Sequence, residues 1–192
     1  ALQQAKDGLI EAATAEEKAK LKADAAQLTK ADETGKTPDS IAAYETAYEK
    51  LKTQLEEAKA AAAAVEAKGN NASKTEAQEA QAKVDAAKTA LDKAAESLVN
   101  KADKAELKTA KEALNTLATA EDPTTGKTAD SAKAYNDAKT AAQEAIKEAE
   151  TVINDENATP EQVTAALEKV NAKKAALQQA KDGLIEAATA EE

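Results

Sequence analysis

Apolar side chains recur along most of this chain at alternating steps of three and four residues. One stripe runs through Ile41, Tyr44, Tyr48, Leu51, Leu55, Ala58, Ala62 and Val65, and a second through Val84, Ala87, Leu91, Ala94 and Leu98. A third follows Leu107, Ala110, Leu114 and Leu117. Such spacing keeps one face of an α-helix apolar and fits the seam of a helical bundle. The start signals agree. Ser73-x-x-Glu76 reads as a capping box, in which hydroxyl and carboxylate each satisfy a backbone N–H of the first turn. Thr159-Pro160-Glu161-Gln162 places Thr at the N-cap, Pro at the first helical position and Gln where it reaches back. Thr37-Pro38-Asp39 is a similar start with an acid near the positive end of the helix. Gly35, Gly69 and Gly126 fall in the loops between stripes. The pattern predicts an all-α fold with helices near residues 2–31, 38–67, 74–118, 130–153 and 160–188.

No breaker lies between Ser73 and Ala118. Residues 74–118 therefore read as one continuous helix of about 45 residues, roughly 68 Å long at 1.5 Å per residue. Its stripe changes phase between Leu98 and Leu107, and a helix whose apolar face rotates is changing partners. The expected architecture is two tandem three-helix bundles, residues 1–98 and 99–192, sharing helix 74–118 across the junction to make a rod. Gly8 and Gly183 would then sit mid-helix at equivalent joints, where Ser97 stands in the middle copy. A glycine there either softens the joint or is neutral.

Internal repetition supports this division. Residues 176–192, ALQQAKDGLIEAATAEE, repeat residues 1–17 without a difference. Packing alone would not fix surface residues so strictly, so the identity points to duplicated DNA. A weaker repeat lies inside that period. Gly35-Lys36-Thr37-Pro38-Asp39-Ser40, followed by Ala43-Tyr44, recurs as Gly126-Lys127-Thr128-Ala129-Asp130-Ser131, followed by Ala134-Tyr135. Asn71-Ala72-Ser73 recurs as Asn157-Ala158-Thr159, and Val84 and Leu91 recur as Val170 and Leu177. The chain reads as two related modules and the beginning of a third.

Composition sharpens the fold class. Hydrophobic residues make up 42% of the 192, but Phe, Trp, Met and Cys are absent and only three Tyr occur, so alanine supplies most of them. Each alanine methyl removes little area from water, so the core must be thin. Small side chains instead let helix axes approach to roughly 8 Å. The formal charge is −10, from 36 acids against 26 bases, all of them Lys. That balance opposes binding to nucleic acid, which needs a cationic footprint, and to anionic membranes. No stretch is apolar for long enough to insert into a bilayer. No signal peptide opens the chain, and its first residue falls within a repeat, so the natural termini are expected to lie elsewhere. The lack of Cys excludes disulfides and fits an exported protein.

The residues offer no catalytic, cofactor-binding or metal-ligating constellation. With no His and no Cys, the usual zinc ligands and the usual base for a nucleophile are missing. Gly35-Lys36-Thr37 and Gly126-Lys127-Thr128 mimic the end of a phosphate loop, but Lys30 and Glu121 stand where its first glycine belongs. Glu16-Glu17 and Glu56-Glu57 read as solvated faces, because no aromatic-lined pocket could raise a carboxylate pKa. Asn154-Asp155-Glu156-Asn157 lacks the ligand spacing of a calcium loop. Asn71-Ala72-Ser73 and Asn157-Ala158-Thr159 are formal glycosylation sequons that helix capping explains as well.

The pattern T-x-x-S-x-x-A-Y-x-x-A, then N-A-T-x-x-x-V-x-x-A-L-x-x-V/L-x-x-A-x-x-A-L, resembles the FIVAR repeats of Gram-positive cell-wall proteins. Thr128, Ser131, Ala134, Tyr135 and Ala138 carry its first part. Asn157, Ala158, Thr159, Val163, Ala166, Leu167, Val170 and Leu177 carry the second, with Lys173 departing at one alanine position. The first module matches through Thr37, Ser40, Ala43, Tyr44, Ala47 and Asn71, with Ala77 in the place of Val163. The resemblance implies a large, wall-attached extracellular surface protein, some of whose kind bind fibronectin or other matrix components. It transfers no binding residue, because the matching positions look like caps and core.

These readings converge on a monomeric stalk or spacer in a bacterial surface adhesin, non-enzymatic and without cofactors. Its partners would be the neighbouring repeats of the same chain. The alternative is a binding module with weak, multivalent affinity for host matrix proteins such as fibronectin. A third reading, a desiccation protectant that folds only on drying, is opposed by the helix caps and regular stripes.

Overall fold

The computed structural model describes residues 9–188. Among them are six α-helices: α1 Ala15–Ala26, α2 Pro38–Lys68, α3 Lys74–Ala95, α4 Ala105–Ala118, α5 Ala129–Asn154 and α6 Pro160–Asp182. A short 3-10 turn, Gly69–Asn71, follows α2. Among the described residues, β-pairing amounts to two isolated antiparallel bridges, so the fold is all-α. The described residues separate into two compact units, divided between Val99 and Asn100.

In the first unit α1, α2 and α3 each pack against the other two. Their apolar faces meet in a core that includes Leu21 and Leu28 from the α1 side, Leu55 and Val65 from α2, and Val84 and Leu91 from α3. Alanines fill the space between them: Ala58, Ala62, Ala77, Ala80 and Ala87 are all buried. The stripes read from the sequence point inward, although Tyr48 and Leu51 are only partly buried. The second unit repeats the plan with α4, α5 and α6. Leu107, Leu114, Val170 and Leu177 are fully buried there, around Ala142, Ala145 and Ala149. One Tyr is fully enclosed in each unit, Tyr44 in the first and Tyr135 in the second.

Two of the caps form as the sequence predicts, while Thr37 stands at the start of α2 without a side-chain capping bond. Ser73 and Glu76 close a capping box at α3, and Thr159 and Gln162 close one at α6. Pro38 and Pro160 occupy first-turn positions, where a missing N–H costs nothing. Gly35 and Gly126 sit at φ of 71° and 74°, the left-handed conformation that favours glycine.

Three expected helices are shorter than predicted, and one of these differences changes the architecture. Residues 74–118 are not one helix. α3 ends at Ala95 and α4 begins at Ala105, so the uninterrupted helix through Asn100 to Asp103, shared across the junction, is not formed. The physical reason is a competing acceptor. The Val99 carbonyl accepts the N–H of Thr37 at 2.8 Å, and Thr37 is only 3% exposed at the start of α2. A helical Val99 would spend that carbonyl on its own next turn and orphan a buried donor. Asp103 then restarts the chain, its carboxylate accepting the N–H of Ala105 at 2.9 Å.

The first helix spans Ala15–Ala26 rather than residues 2–31. Thr14 and Glu17 form a capping box that starts α1, and the described part of the segment before it bridges Ala12 to Ser73. At its other end the Tyr44 hydroxyl accepts the N–H of Ala31 at 2.7 Å and draws the chain away from the helix axis. Residues 1–8, Gly8 included, lie outside the described residues. Gly183 is described, and it caps the end of α6 instead of lying mid-helix. Residues beyond it pair with the loop before α5 through the bridge from Lys127 to Glu186.

Candidate functional site: the sockets that hold the end segments

The repeated Thr-x-x-Ser motif builds a small polar socket at the start of the second helix of each unit. In the first, the Thr37 hydroxyl donates to the Ser40 hydroxyl at 3.0 Å, and the Ser40 hydroxyl lies 2.9 Å from the Thr37 carbonyl. Both side chains are buried. In the second, the Thr128 and Ser131 hydroxyls lie 2.8 Å apart. The first N–H groups of a helix have no partner within it, so a buried helix start needs an acceptor from elsewhere. The segment that ends each unit supplies it. Thr37 donates to Val99, and Thr128 donates to the Ile185 carbonyl at 2.8 Å. In the second unit the contact is reinforced. The Ser131 hydroxyl accepts the N–H of Ile185 at 3.1 Å, Ala187 donates to the Gly126 carbonyl at 2.9 Å, and Lys127 pairs with Glu186.

A second docking place lies before the third helix. Ala13 donates to the Ala72 carbonyl at 2.9 Å, and Lys74 donates to the Glu11 carbonyl at 2.8 Å. The Lys74 ammonium also meets the Glu11 carboxylate at 2.9 Å. Nearby, Lys18 donates to the Gly69 carbonyl at 2.9 Å, and so ties α1 to the turn after α2. Lys104 does the same in the second unit, donating to the carbonyls of Ile153 and Asp155.

The motifs that imitate chemistry are occupied by this packing. The Thr37 and Thr128 amides, which a phosphate would need, are bonded to Val99 and Ile185. Asp155 spends one carboxylate oxygen on the N–H of Asn157 at 2.8 Å. No group of three or more His, Cys, Asp or Glu among the described residues is placed to hold a metal ion. Among the described residues, no helix is long and apolar enough to cross a membrane. In both sequons the hydroxyl caps a helix: Ser73 accepts the N–H of Glu76 at 3.2 Å, and Thr159 accepts that of Gln162 at 3.3 Å.

Two of the carboxylates with lowered pKa, Glu76 and Glu17, are caps too. The Lys68 ammonium and the N–H of Ser73 hold the Glu76 carboxyl down at about 2. The N–H of Thr14 lowers Glu17 in the same way. Burial raises the Tyr135 phenol. Each unit also carries a shallow surface groove between its second and third helices, about 190 Å³ in the first and about 280 Å³ in the second. Alanines floor both, with Lys83, Glu76 and Glu79 around the first and Glu148, Gln162 and Lys169 around the second.

Sequence reasoning placed Thr37, Ser40, Thr128 and Ser131 at caps and missed what they hold. Two signals were available. Thr14-x-x-Glu17 is a capping box like Ser73-x-x-Glu76, and it forbids a helix that runs through Thr14. The phase jump after Leu98 marks a break as well as it marks a rotating face.

Two stretches of the chain, residues 3–92 and 110–178, match the model of the FIVAR domain. Extracellular matrix-binding protein EbhB of Staphylococcus aureus strain Newman is 38% identical over 151 residues, which cover 79% of this chain. Extracellular matrix-binding protein ebh of strain NCTC 8325 / PS 47 is likewise 38% identical over 151 residues. The chain spans about 2% of the length of each of these relatives. A solved structure from a characterization of extracellular matrix binding protein (Embp)-mediated Staphylococcus epidermidis adherence to fibronectin is 30% identical, with a TM-score of 0.47. Its match covers 85% of this chain and 98% of that one. By the double match to its domain model, the chain belongs to the FIVAR family.

Proposed function

We propose that this chain is a spacer segment of an extracellular bacterial surface protein, in which each of its two units is one module of a tandem array that carries a distal binding region away from the cell wall. The reading rests on one observation above all: the repeated motifs are spent on the units' own ends. The Thr-x-x-Ser sockets bind the closing segments, the Lys side chains bind helix-end carbonyls, and the capping boxes start helices. A spacer needs such self-contained, repeatable units, whose number sets its reach. The identity of residues 1–17 and 176–192 allows recombination to change that number without changing the fold. The negative charge keeps neighbouring copies apart. The role is non-enzymatic and needs no cofactor, and the chain acts as a monomer whose partners are neighbouring repeats.

The relatives' description as extracellular matrix-binding proteins favours a second reading, in which each module binds a host matrix protein such as fibronectin weakly and repetition raises the avidity. Titrating fibronectin with one, two and four tandem copies of the chain separates the two. The spacer reading expects no saturable binding by a single copy at micromolar concentrations. Nanomolar binding by one copy, abolished by surface substitutions that leave its melting unchanged, would overturn it in favour of an adhesive domain.

A further inference from the structure

The duplicated sequence LIEAA occurs twice among the described residues, as 9–13 and 184–188, and the two copies use opposite edges of the same backbone. In 9–13 the Glu11 carbonyl and the Ala13 N–H bond to the loop before α3. In 184–188 the Ile185 carbonyl and the Ala187 N–H bond to the loop before α5. Glu11 and Ala13 correspond to Glu186 and Ala188, one residue out of step with Ile185 and Ala187. Along a strand paired in antiparallel fashion, alternate residues direct their N–H and C=O groups to opposite sides. Each copy therefore bonds along the edge that the other does not use.

Burial is complementary in the same way. Ala13 is buried, while its counterpart Ala188 is exposed. Leu9 is 79% exposed, while its counterpart Leu184 packs against the core of the second unit. The shared glutamate pairs with Lys74 in one setting and with Lys127 in the other. We propose that residues 184–188 form a two-edged connector, holding the loop before α5 on one edge and, on the other, the loop before α3 of a second copy of the first unit that follows in the same chain. The occupant is fixed by the sequence identity: residues 9–13 already make that contact within the first unit. The inference holds whether or not the array serves as a spacer.

The test extends the full chain from Glu192 into a second copy of residues 18–99, which continues the repeat in register. Amide exchange and ¹³Cα shifts are then compared with those of the original chain. The Ala187 amide is expected to be slow in both. The Ala188 amide is expected to slow by ~10-fold or more only in the extended chain, with non-helical shifts at residues 185–188. Ala188→Pro in the extended chain is expected to return the Lys74 amide of the added copy to fast exchange and to leave Ala187 slow. Unchanged exchange at Ala188, helical shifts across residues 185–188, or a Lys74 amide indifferent to Ala188→Pro would each overturn the connector.

Discussion

Few large side chains hold each unit together, so single residues carry unusual weight. Leu114 is fully buried in a core that holds few other large side chains, with alanines filling the rest. Leu114→Ala removes area that its small neighbours cannot regain by collapsing, and should cost about 2–4 kcal/mol. Leu51→Ala should cost less, because Leu51 is only partly buried. Urea unfolding of the two variants checks the order, and an equal loss would show that burial was misjudged. The Glu76 carboxyl, held at about 2 by Lys68 and Ser73, gives a pH signature. Its folded pKa is depressed, so its contribution is complete above the ordinary glutamate range and disappears as pH falls toward about 2. Glu76→Gln should retain the cap, as Gln162 does at α6. The difference in melting temperature between this variant and the parent should be largest near neutral pH and shrink from pH ~5 to ~2. A constant difference across that range would refute the assignment.

The helices themselves were largely legible in the sequence, and the ends that matter were not. Stripes through Leu55, Val65, Val84 and Leu91 identified α2 and α3 because apolar periodicity reflects burial directly. Caps at Ser73 and Thr159 were readable because their partners lie three residues away. The breaks at residues 96–104 and after Asp182 depend on partners far along the chain: Thr37 for Val99 and Thr128 for Ile185. The local cues beside them, the phase jump after Leu98 and Gly183 at the end of α6, do not reveal which distant group Val99 and Ile185 bond. The Thr-x-x-Ser socket was visible as a motif, but its guest was not, for the same reason. A proline comparison tests the break. Lys83→Pro, on the exposed face within α3, should cost about 3 kcal/mol or more. Val99→Pro should cost less than about 1 kcal/mol, because it keeps the carbonyl that Thr37 needs. Equal losses would restore the continuous helix.

At the scale of the whole molecule, the absence of Phe, Trp, Met and Cys suits an array exposed outside the cell, with nothing easily oxidised. Among the described residues, the exposed large hydrophobics are Leu9, Ile10, Val99 and Ile185, all in segments between or beyond helices. The proposed spacer role turns on reach, and small-angle scattering from one, two and four tandem copies of the chain measures it most directly. The account predicts that the maximum dimension rises by a constant increment with each added copy. A dimension that levels off as copies are added, with the particle becoming more compact, would contradict it.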